Sequence, residues 1–72
     1  MVSSPLVESR ALAVLRQNPI PALRQLAIEE TDEKVVIQGS VTSYYLKQLA
    51  QEALMPVLDG RALVNRVAVV RD

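Results

Sequence analysis

The 72-residue chain contains no cysteine, histidine, tryptophan or phenylalanine, only two glycines, and equal numbers of basic and acidic residues, eight of each. Without cysteine, no disulfide staples the fold and no thiolate holds a metal. Without histidine, the commonest metal ligand and the commonest general base are both missing. Ser3, Ser4, Ser40 and Ser43 therefore have no imidazole to activate them as nucleophiles. Gly39 and Gly60 lie too far apart to build a glycine-rich phosphate loop or the glycine clamp of a KH-type RNA module. The stacked aromatic platforms of RNA-binding sheets are absent as well. The balanced charge provides no overall field toward nucleic acid or an anionic membrane. No run approaches the roughly 20 consecutive apolar residues of a membrane span. The start, Met1-Val2-Ser3-Ser4-Pro5, lacks the basic opening and apolar run of a secretory signal. The chain as it stands is expected to be soluble and cytoplasmic, or periplasmic if a leader was trimmed. The exclusions together predict no enzyme, no cofactor and no metal.

What is present is apolar surface. Half of the residues are hydrophobic, enough to fold one small domain over 1–72. A chain of this size buries only about 60% of the surface its unfolded form exposes, so it gains much from association.

The spacing predicts five elements. A first helix is expected from Ser4 as N-cap and Pro5 at the first helical position, with Val7, Ala11, Val14 and Leu15 as its apolar stripe. Asn18-Pro19-Ile20-Pro21 stops it, and reads as a stiff extended connector. Leu26, Ile28 and Glu30 alternate with Gln25, Ala27 and Glu29 as a strand. A polar turn over 30–34 leads into a second strand, in which Val35, Ile37, Gly39 and Val41 alternate with Val36, Gln38 and Ser40. Gly39 inside a strand implies a close helix-to-sheet approach or a bulge. Thr42-Ser43 caps a second helix with a stripe of Leu46, Leu49, Ala50, Ala53 and Val57; Pro56 ends or kinks it near Met55. Asp59-Gly60 is a turn, and Ala62 to Val70 the last strand.

The order helix, strand, strand, helix, strand predicts an α+β fold (α-β-β-α-β). A three-stranded mixed sheet would carry both helices on one face, and the strand-helix-strand step would cross over right-handed. Val36, Val64, Ala68 and Val70 then fall on the uncovered face, which is unusually apolar for one that meets water. Such a face marks a partner surface when it is large enough, although single surface valines are ordinary. The expected partner is a protein or a second copy of the chain.

Other clusters are weaker. Glu29, Glu30, Asp32 and Glu33 offer carboxylates, but with no calcium-loop motif they read as a solvated hairpin tip. Tyr44 and Tyr45 open the second helix; Tyr45 is expected to be the more buried and Tyr44 the exposed anchor. The basic residues are dispersed, and of these Lys47, Arg61 and Arg66 are the set that a fold could gather.

The stretch Val35-Val36-Ile37-Gln38-Gly39-Ser40-Val41, the Leu- and Ala-rich helix after it and the closing Val64-Asn65-Arg66-Val67-Ala68-Val69 resemble the BON domain (bacterial osmotic-shock and nodulation domain), over roughly 6–70. Where that family places Gly-Val before its last strand, this chain has Asp59-Gly60, and it carries Pro56 nearby. The resemblance implies a bacterial, non-catalytic interaction module, with Gly39 and Asn65 as structural motif residues. It also implies an alternative function, phospholipid-surface binding, for which Lys47, Arg61 and Arg66 are the candidate contacts. An RNA-binding module is the remotest reading, and nucleic acid is not an expected partner.

Overall fold

The computed structural model describes residues 9–70. The expected order is present with two additions. Helix α1 (Arg10–Arg16) is followed by a single helical turn, α2 (Pro21–Arg24), then strands β1 (Ala27–Glu30) and β2 (Lys34–Val41). Helix α3 (Tyr44–Leu54) runs into a 3-10 turn at Met55–Val57, and strand β3 (Ala62–Val69) closes the fold.

Ser9 caps α1, its hydroxyl accepting from the Leu12 amide at 2.9 Å. The expected cap at Ser4, with Pro5 and Val7, lies outside the described residues. The connector expected over 18–21 is a correction. Asn18 Oδ1 accepts from the Ile20 amide at 2.9 Å, and Pro21 then opens α2 at a position where its missing N–H is harmless. Leu23 is fully buried and anchors this turn in the core. The Arg16 guanidinium donates to the Arg24 carbonyl and ties the two helix ends together.

Thr31 forms the hairpin turn. Its hydroxyl accepts from the amides of Glu33 and Lys34, and its own amide donates to the Lys34 carbonyl. β1 and β2 pair antiparallel, with Ile28 opposite Ile37, while β2 and β3 pair parallel, with Ile37 opposite Asn65. The sheet is therefore mixed, with order β1-β2-β3. Ser43 caps α3 through the Leu46 amide at 3.2 Å. Pro56 converts the helix end to a 3-10 turn, as expected of a residue that cannot donate in the α ladder. Asp59 and Gly60 turn the chain with positive φ.

Val35, Ile37, Val41 and Val67 face the helices and join Ala11, Leu15, Leu23, Leu26, Ala50, Leu54 and Val57 in one core. Each of the larger side chains contributes about 1.5–3 kcal/mol by leaving water. Gly39 has φ +136°, a backbone region that L side chains rarely adopt. A Cβ there would lie 2.7 Å from Leu26 Cδ2. The neighbour that needs the space is thus the residue just before β1, and not a helix. The register between β2 and β3 also runs unbroken through Gly39, so no bulge is present there.

Candidate functional surfaces

The face of the sheet away from the helices is built from cross-strand rows: Glu29, Val36 and Val64; Ala27, Gln38 and Arg66; Ser40 and Ala68. Among the four expected partner residues, Ala68 and Val70 are exposed and Val64 is half-buried. Val36 is a correction, since it is only 4% exposed. It sits in the central strand between Glu29 and Val64, and Gln38 Nε2 reaches along the face to Glu29 Oε1 at 3.3 Å beside it. Neighbours within the same chain therefore cover Val36, and it offers little to a partner. The open face is a mixed surface of small apolar residues, one amide and both signs of charge.

The three basic candidates do not share a patch. Arg61 is committed within the chain: its Nη1 lies 2.6 Å from Glu30 Oε1, with the two side chains 19% and 22% exposed. Its Nε donates to the Leu58 carbonyl at 2.7 Å and its Nη2 to the Val57 carbonyl at 3.0 Å. It is a clasp holding the turn after α3 against the hairpin, in place of the expected lipid contact. Lys47 is half-buried on α3, in the helix layer, whereas Arg66 lies exposed on the open face.

Glu30 is held ionised below its ordinary pKa. The neighbouring Ser9 hydroxyl and the Arg61 guanidinium, the latter through its hydrogen bond and positive charge, together outweigh partial burial. An open groove of about 420 Å³ runs beside this pair, bordered also by Arg10, Asp32 and Asp59. Arg10 and Asp59 meet across it at 3.7 Å with both side chains largely exposed, where such pairs contribute little. The acidic residues of the hairpin are split between layers, Glu29 on the open face and Glu30 toward the helices. Among the described residues, no group of His, Cys, Asp or Glu side chains converges to hold a metal, and no helix is long and apolar enough to cross a membrane.

Tyr44 and Tyr45 are 69% and 71% exposed, so the expected burial of Tyr45 is also corrected. Leu46 is the first residue of α3 to pack against the core.

Asn65 belongs to the helix-facing row of β3. Its Nδ2 donates to the Lys47 carbonyl at 3.2 Å and to Gln51 Oε1 at 3.4 Å, and its Oδ1 accepts from the Val67 amide at 3.1 Å. One side chain thus joins α3 to β3. The Glu30–Arg61 pair gave no sequence signal, because its members are 31 residues apart and each resembles an ordinary surface charge. Comparison with protein-family models, with curated proteins and with solved structures finds no match.

Proposed function

We propose that the domain is a non-catalytic interaction module of the BON type, and that it self-associates through the open sheet face. The observation that supports this reading is the placement of α1 and α3 on one side of a sheet whose other side still carries Val64, Ala68 and Val70. The face also carries both signs of charge, Glu29 against Arg66 and Lys34. Two copies related by a twofold axis can set the acidic strand of one against the basic strand of the other. A phospholipid surface is less well supported, because Arg61 is already paired and Lys47 and Arg66 belong to different layers.

Light scattering across a concentration series tests this. The natural chain is expected to gain mass with concentration. The double variant Ala68→Lys, Val70→Lys is expected to stay monomeric with an unchanged circular dichroism spectrum, because both positions are exposed. Val36→Lys is unsuitable, since a charge placed at a buried position unfolds the sheet. A natural chain that stays monomeric up to its solubility limit overturns the reading.

A further inference from the structure

We propose that Asn65 closes the outer edge of β3 against strand addition, so that a second copy of this chain cannot extend the sheet. β3 is an edge strand of eight residues, ALVNRVAV, with no proline and one charge. Such an edge is ordinarily a template for pairing with another chain. The amides of Ala62 and Val70 donate to the carbonyls of Glu33 and Val41. In a parallel ladder this parity turns the even-numbered amides toward β2 and those of Leu63, Asn65, Val67 and Val69 outward.

The outward amide at the middle of this edge is already taken. Val67 N–H donates to Asn65 Oδ1 at 3.1 Å, while Asn65 Nδ2 is held on α3 by Lys47 and Gln51. Although it lies in an edge strand, Val67 is only 1% exposed, backbone included. Twofold antiparallel registers centred on Asn65, Arg66 or Val67 all require the Val67 amide. The register centred on Arg66, which would use all four outward residues, also sets Arg66 directly against its own copy, a like-charge opposition. The side chain that anchors the helix therefore also blunts the edge. This inference does not depend on the open-face reading.

Amide hydrogen exchange across a concentration series tests it. In the natural chain, the Val67 amide is expected to exchange about fivefold or more slowly than those of Leu63 and Val69, in line with one net hydrogen bond. Raising the concentration is expected to leave Leu63 and Val69 unprotected, because association through the face does not cover edge amides. The double variant Asn65→Ala, Arg66→Thr is expected to lose the Val67 difference and to gain protection at Leu63 and Val69 as it associates. Gln51→Ala, which leaves the Asn65–Val67 bond in place, is expected to keep it. A Val67 amide exchanging as fast as its neighbours in the natural chain overturns the proposal, even where Asn65→Ala fails to fold. So does protection of Leu63 and Val69 that rises with concentration in the natural chain, or a folded double variant that does not associate through this edge.

Discussion

Val67 and Val70 belong to the same stretch of chain, yet the first is 1% exposed and the second 54%. The difference is the face. Val67 points into the layer of α1 and α3, with Ile37, Leu15 and Leu54 among its companions in the core. Val70 has neither helix over it, and its amide only continues the ladder to the Val41 carbonyl. Val36 shows that the face alone does not settle burial. It lies on the open side but in the central strand, and neighbours on both flanks with Gln38 above remove it from water. A strand in the middle of a small sheet can bury a valine without a second layer, whereas an edge strand needs one.

The largest test of this comparison is Ile37→Ala against Val64→Ala, which face opposite sides. Ile37 is fully buried under the helices, and its truncation should cost about 2–5 kcal/mol. That is much of the roughly 4–11 kcal/mol expected of a domain this size. Val64→Ala should cost about 1 kcal/mol or less, since it is half-buried. Denaturant titration at low concentration compares them. Equal losses would mean that the open face is covered in solution too.

Gly39→Val is next, at about 1–3 kcal/mol of destabilisation from the positive φ. The clash with Leu26 Cδ2 adds less, because that atom is the movable end of a side chain. The same titration reads it; because Leu26 is itself a core residue, a Gly39→Val, Leu26→Ala double variant that loses clearly less than the sum of the two single losses would assign the cost to the clash instead of the backbone.

The smallest effect concerns the two neighbouring carboxylates that the faces separate. Glu30 is lowered in the folded state, so its contribution is present above the unfolded-state pKa and is lost as pH falls through the folded one. Glu30→Gln should cost about 1 kcal/mol at neutral pH, the difference between a charge-assisted and a neutral hydrogen bond. It should also flatten the loss of stability on acidification, read from unfolding midpoints between neutral and acid pH. An unchanged acid slope would remove Glu30 as its source.

Much of this architecture was legible in local signals. Ser43 before a Leu- and Ala-rich stretch, Pro56 at its end, Asp59-Gly60 and the alternation around Val35–Val41 placed α3, its end, the last turn and β2. The turn at Pro21–Arg24 was missed because a paired-proline stretch reads as extended until the burial of Leu23 is known. The candidate surface was legible only in part. Alternation assigned Ala68 and Val70 to the open face, but the cover over Val36 and the diversion of Arg61 to Glu30 depend on strand order and on a contact between distant residues.

Which residue types are missing, where the main elements lie and which side chains share a strand face could be read along the chain, because composition, capping and periodicity act within a few residues. Three outcomes came from the folded arrangement: which of the valines meet water, that Arg61 is taken up by Glu30, and that Asn65 reaches both a helix and a strand edge. Those outcomes depend on neighbours brought together across the sheet, and local pattern carries no record of them.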